Sequence, residues 1–307
     1  MNDFEHFEFD ISAVVDPQST VSDDQYRVLR RLCIPPRFNN PSGAPLKRGL
    51  VVDVETTGRS EDDDVIQLAM LAFDYEVDTN RIIDVYKEQA FNQIREPAVP
   101  ISKEASLVHK LTDEMVAGHT IDEQEVEAIV NQVDFVIAHN ARFDRPMVEK
   151  HWPCFKAKPW GCSWFSVNWI EEGFSAGKLD YLGAQFGFFF EAHRALSDCE
   201  ACVGLLAQTL PTSQKRVLNM VREASQRPDY LIRAIRAPFD KKDLLKNRGY
   251  RWRDPALPHG KVWWTISPEP DEEIAWLQSE IYETAIDLPV HKINALTKYS
   301  NRMWESL

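Results

Sequence analysis

From Leu50 to Val54 the chain reads LVVDV, a β-branched apolar run that emerges into the polar TTG and predicts a buried strand ending at an open edge. Val65 to Tyr75 and Ile82 to Ala90 have the same strand-like composition, separated by the turn-rich VDTNR, so the three predict an antiparallel meander. Helical spacing follows at Ile101 to Val108 and at Asp122 to Val130. DFVIAH then reads as a strand, Phe143 to Lys150 as a helix, and Leu179 to Phe186 and Asp198 to Thr209 as the last helices of this domain. Mixed strands with helices on their faces make an α/β layer fold over residues 47–210.

The flanks have a different pattern. Ser22 to Leu32 predicts a short amphipathic helix with Tyr26 and Leu29 on one side, and Pro35, Pro36, Pro41 and Pro45 interrupt everything up to Leu46. Residues 1–46 are therefore an extension with one docking helix and a proline-rich connector, read as a packing strap in preference to a partner-binding arm. Residues 211–235 read as a helical linker. Beyond them, Asp240 can cap a helix KKDLLKNR that Gly249 ends, and YRW and KVWWTI predict two strands. With a closing helix at Glu272 to Tyr282, residues 236–285 form a small α+β module. The tail 286–307 has no legible pattern.

Composition narrows the class. A chain of 307 residues with 44% hydrophobic content can bury a core and a smaller companion. It lacks the run of about 18 apolar residues that a membrane helix needs, and MNDFEHFEFD lacks the basic and apolar regions of a signal peptide, so a cytoplasmic location is expected. Five cysteines, an odd number without an export signal, argue against disulfides. Cys199 and Cys202 form a CxxC with no second pair to complete a zinc site, and one helical turn puts both on one face as small packing residues.

The net charge of −13 is unevenly divided. Residues 1–210 hold 19 Lys and Arg against 35 Asp and Glu, whereas residues 211–307 hold 16 against 13. The acidic part calls for cations and the weakly basic part can hold a polyanion. Between Arg236 and Arg253, seven Lys or Arg and two Asp are interleaved with Phe239, Tyr250 and Trp252. Such residues can neutralise phosphates and stack on bases, or can be the core and solvated face of a very small domain.

Three local clusters carry the candidate chemistry. Asp53 and Glu55, two apart on a strand, project to the same side and supply half a metal site. Asp144 opens a helix after a buried strand, with Asn140 placed to hold the turn through its side chain. Ser197 and Glu200 read as a capping box that puts Asp198 in the first turn of its helix, and His193 lies on the loop just before. Hard oxygen ligands favour Mg²⁺ or Mn²⁺, and two such ions can clamp the attacking and leaving oxygens of a phosphoryl displacement. An ordinary imidazole, titrating near 6.5, can take the proton of the attacking water.

Those residues stand in D-x-E-T-T-G at Asp53 to Gly58, H-N-A-x-F-D at His139 to Asp144 and H-R-A-L-x-D at His193 to Asp198. In these motifs residues 47–210 resemble the DEDDh family of 3′-to-5′ exonucleases, which includes polymerase proofreading subunits and RNA-trimming enzymes. The resemblance implies a ribonuclease H-like mixed sheet flanked by helices, two divalent ions on Asp53, Glu55, Asp144 and Asp198, and His193 as general base. The segment KEASLVHKLTDEMV matches the family's substrate-contacting stretch, which implies that Glu104 and His109 face the terminal nucleotide and that Thr56, Thr57 and Asn140 contact the strand. Lys110 departs from the usual glycine after this histidine and puts the shape of that loop in question. The implied activity is release of nucleoside monophosphates from single-stranded or frayed DNA 3′ ends in repair or replication, with a polymerase or repair protein as a partner. An exoribonuclease acting on RNA 3′ ends and a non-catalytic adaptor are the alternatives. The complete carboxylate and histidine set argues against the adaptor. The module 236–285 separately resembles small strand-helix-strand-strand modules of DNA-processing proteins through P-F-x-x-K-D…G-x-x-W…W.

Overall fold

The structure is a computed structural model and describes residues 28–60, 62–305 and 307. The chain divides into two compact units, one up to Arg222 and one from Glu223 to Leu307.

The first unit is built on a six-stranded mixed sheet. Its elements are β1 (Leu46–Thr56), β2 (Val65–Glu76), β3 (Ile82–Val85), β4 (Phe91–Ile94), α1 (Lys103–His109), α2 (Glu123–Asn131), β5 (Phe135–Ala138), α3 (Ala141–His151), β6 (Trp160–Cys162), α4 (Leu179–Gln185) and α5 (Ala195–Leu206). Strands run in the order β3-β2-β1-β5-β6, with β4 also on β2. The β1–β2 pair is antiparallel, and β1–β5 and β5–β6 are parallel. This is the expected α/β mixed sheet flanked by helices.

The sequence of β1 explains its central place. Leu50, Val51, Val52 and Val54 are buried, as a strand covered on both faces requires. Gly49 pairs with Phe73, whose ring lies so close that an added Cβ would sit 2.4 Å from it, so only glycine lets that ring cross the strand. Small residues let α5 approach: the Cys199 thiol hydrogen-bonds the carbonyls of Val51 at 3.7 Å and Ala69 at 3.5 Å. Cys199 and Cys202 are buried, with thiols pushed up by burial.

Several expectations are corrected. The strand read from Ile82 to Ala90 stops at Val85, because Lys87–Gln89 form a 3-10 turn before β4 pairs again with β2. β6 carries no strand signal because it is only three residues long. Of the helix read from Ser22 to Leu32, residues 22–27 lie outside the described residues. The remainder is extended, with Arg30–Arg31 paired in parallel to Phe188–Phe189. The proline-rich stretch packs along β3: the Phe38 N–H donates to Ile83 and Arg37 pairs with Asp84 at 2.7 Å. Residues 211–235 are not a helical linker but contain α6 (Val217–Gln226) and a strand.

In the second unit, β7 (Asp229–Ala234), α7 (Lys242–Asn247), β8 (Arg251–Arg253), β9 (Val262–Ser267), α8 (Pro270–Trp276) and β10 (Val290–Ile293) form a sheet of order β8-β9-β7-β10 with two helices. The predicted strands and helix are present, but residues 286–307 are not a tail. They supply β10 and carry Trp304 onto Trp264, edge to face at 5.3 Å. Asp240 lies inside a 3-10 turn rather than capping α7. Lys241, Lys246 and Arg248 pair with Glu283, Asp243 and Glu273, so much of the basic surface is neutralised from within, while Phe239 remains 80% exposed. Among the described residues no helix is long and apolar enough to cross a membrane.

Candidate active site

Alternation along β1 puts Asp53 and Glu55 on one face, and the first turn of α5 brings Asp198 against them. One carboxylate oxygen from each of these three residues lies within 4.8 Å of the others. Asp144, in the first turn of α3, faces the same cavity but lies outside that close group; its Oδ1 accepts the Val54 N–H at 3.3 Å. Sequence reasoning thus named four carboxylates that the fold does bring to one cavity.

The electrostatics are those of an acidic cluster sheltered from water. Burial, then repulsion by Asp144, Asp198 and Glu55, raises Asp53 well above the usual carboxylate range. Glu55 is pushed up to about 8 by burial and by Asp198, with Arg194 partly opposing. Asp198 is pushed up to about 7 by burial, although backbone N–H groups of Arg194 and His193 favour its anion. Asp144 is raised well above its ordinary value, again chiefly by burial. The site therefore holds protons at neutral pH or needs cations in their place. Oxygen-only donors this close together suit a hard divalent ion.

His193 is exposed on the loop before α5, with a backbone φ of +63°. His109 ends α1 and is buried; its Nδ1 accepts the Leu111 N–H at 3.0 Å, and the ring lines the cavity. Burial holds this imidazole below its ordinary value, so it is neutral at pH 7. Thr56, Glu104 and Asn140 line the cavity as well. Lys110 takes the left-handed conformation a glycine would favour, φ +66°, and its ammonium bonds the Leu107 carbonyl, so the chain turns here without a glycine.

Three expectations fail. Thr57 does not line the cavity: its hydroxyl donates to Asp63 at 2.9 Å and accepts the Asp64 N–H, which closes the loop after β1. Asn140 makes no side-chain cap; it enters α3 in the left-handed region at φ +82°. The Ser197–Glu200 capping box does not form, because α5 begins three residues earlier than read, and the N-terminal N–H of Arg194 is instead bound by Asp198 at 2.9 Å.

The cavity also has a wall that sequence reasoning missed. Trp164, Lys178, Phe190 and Arg59 line it, and His139 touches it with both ring nitrogens engaged. The aromatic run after Cys162 was the available signal, but β6, which aims it at the cavity, was not recognised.

A family model described as Exonuclease matches residues 50–206. A DNA polymerase III of PolC type from Mycoplasma genitalium is 27% identical over 206 residues, 63% of this chain; the match spans only 13% of that protein's length. Among solved structures, an exonuclease X bound to 5′-overhanging duplex DNA is 23% identical with a TM-score of 0.43, over 57% of this chain and 99% of that one. Exonuclease I of E. coli with a dA16 oligonucleotide is 14% identical with a TM-score of 0.43, over 61% and 48%.

Proposed function

This chain belongs to the exonuclease family, and we propose that it removes nucleoside monophosphates from the 3′ ends of DNA, in repair or replication-associated trimming. The observation that carries the reading is the cluster of Asp53, Glu55 and Asp198 oxygens within 4.8 Å, with Asp144 in the same cavity. Four carboxylates that raise one another's proton affinity are a poor resting state and a good cradle for cations. Asp53, Glu55, Asp144 and Asp198 would hold two divalent ions, Mg²⁺ or Mn²⁺. When bound, such ions polarise the phosphate and stabilise the attacking and leaving oxygens.

The chain's own residues supply the rest. His193, exposed at the rim, takes the proton from the attacking water. Neutral His109, whose ring borders the cavity, would face the terminal nucleotide together with Thr56, Glu104 and Asn140. The preference for DNA over RNA follows the one curated relative described above, a DNA polymerase.

Matched, end-labelled DNA and RNA strands, single and double, incubated with Mg²⁺ or Mn²⁺ test the reading directly. The expected result is a one-nucleotide ladder from the 3′ end of DNA that EDTA abolishes. Internal or 5′ cleavage, or none, would overturn it, and a faster ladder on RNA would move the substrate to the exoribonuclease class.

A further inference from the structure

The cavity is larger than the acidic cluster requires, about 980 Å³, near the upper end of volumes that hold one small ligand. Part of its extra wall is Trp164. Unlike Trp169, which is buried in the core, Trp164 is half-buried and borders the cavity.

Its position is fixed from behind. The His139 ring lies 5.4 Å from the indole, tilted by 31°. The Trp169 indole N–H donates to the Trp164 carbonyl at 3.1 Å. Gly177 passes so near that a Cβ there would lie 3.0 Å from Trp164 ring atoms. His139 Nε2 donates to the Gly177 carbonyl at 2.8 Å, and Nδ1 accepts from the Ser163 hydroxyl at 2.8 Å. Burial holds that imidazole down at about 4, so it is neutral and keeps this tautomer. One motif histidine therefore joins the end of β5 to Ser163 and Gly177 on either side of the Trp164 loop.

Lys178 follows Gly177 directly. It is exposed, borders the same cavity and has no ion pair among the described residues. A pre-oriented aromatic plane beside a cation is what a base and its backbone phosphate need together, and an indole pre-positioned by packing loses little entropy on stacking.

We propose that Trp164 and Lys178 form the subsite for the nucleotide on the 5′ side of the scissile bond, Trp164 stacking its base and Lys178 meeting its backbone phosphate. The inference rests on the exonuclease reading of the same cavity. It adds a requirement: a base stacked on the indole has left its neighbours, so the enzyme takes hold of at least two unpaired nucleotides.

The test compares two DNA strands, one intact and one abasic at the second nucleotide from the 3′ end. In the wild type, kcat/KM should be about tenfold higher for the intact strand, the scale expected from one base–aromatic stack. Trp164→Ala should collapse that ratio towards one, and Trp164→Phe should restore most of it. Lys178→Ala should raise KM for both strands alike. A ratio near one in the wild type, or an unchanged ratio in Trp164→Ala, would overturn the proposal, because a purely structural tryptophan would slow both strands equally. Failure of the wild type to release mononucleotides from either strand would overturn the exonuclease reading and this inference with it.

Discussion

The backbone N–H of Arg194 donates to the carboxylate of Asp198 at 2.9 Å. The residue read as a metal ligand thus also anchors the loop that carries His193.

Asp198→Ala therefore removes a ligand and frees the loop at once. Cleavage should fall by about 10³ or more, beyond the 10² to 10⁴ range's lower end for a lost proton-transfer group alone. The fold should survive, since one buried carboxylate has gone. Single-turnover assays at saturating Mn²⁺, alongside circular dichroism, would check both halves; wild-type-like rates would remove Asp198 from the site.

His193→Ala leaves every carboxylate in place. Metal affinity, measured by calorimetry, should change little, while hydrolysis slows by about 10² to 10⁴. A variant that loses metal binding in parallel would assign His193 to the ligand set instead.

In a chelator, stability should depend on pH in a definite direction. Glu55 and Asp198 titrate at about 8 and about 7 in the fold, against ordinary values of 4.5 and 3.8. A raised carboxylate contributes stability that is complete below its ordinary value and is lost as pH rises through the folded one. The melting temperature without metal should therefore fall from about pH 4 to about pH 8 and level off above. Saturating Mg²⁺, by replacing the protons, should flatten that slope, and an equally steep slope with metal would count against the cations sitting among these groups.

His139 acts at the other end of the scale. Held at about 4 against an ordinary 6.5, it contributes stability that is complete above 6.5 and is lost as pH falls towards 4. Substituting a non-titrating residue, as in His139→Asn, should remove that acidic limb from a plot of melting temperature against pH while lowering the plateau.

Lys110 adopts φ +66° without being glycine. Left-handed backbone costs an ordinary residue about 1 kcal/mol, offset in part by its bond to the Leu107 carbonyl. Lys110→Gly should raise stability by up to about 1 kcal/mol in urea titrations; a loss of stability would show that the ammonium contact outweighs the backbone strain.

How much of this was legible in the sequence follows from how local each signal is. Asp53 and Glu55 were readable because strand alternation is local and β1 is long and β-branched. The order of motifs along the chain was enough to gather four carboxylates, but not to rank Asp144 outside the closest group, which depends on where α3 starts. Thr57 was misread because its partners, Asp63 and Asp64, sit on a returning loop. Trp164 was missed because a three-residue strand aims it, and residues 286–307 because β10 gains its identity only by pairing with β7.

The Cys199 thiol, wedged between the carbonyls of Val51 and Ala69, lies one residue after Asp198. The helix that completes the acidic pocket is therefore also the one that clamps β1 to β2 from behind. Without α5 the cavity would keep Asp53, Glu55 and Asp144 but lose Asp198, and the same loss would remove the thiol that bridges the two central strands, so one helix serves both the completeness of the acidic pocket and the cohesion of the sheet beneath it.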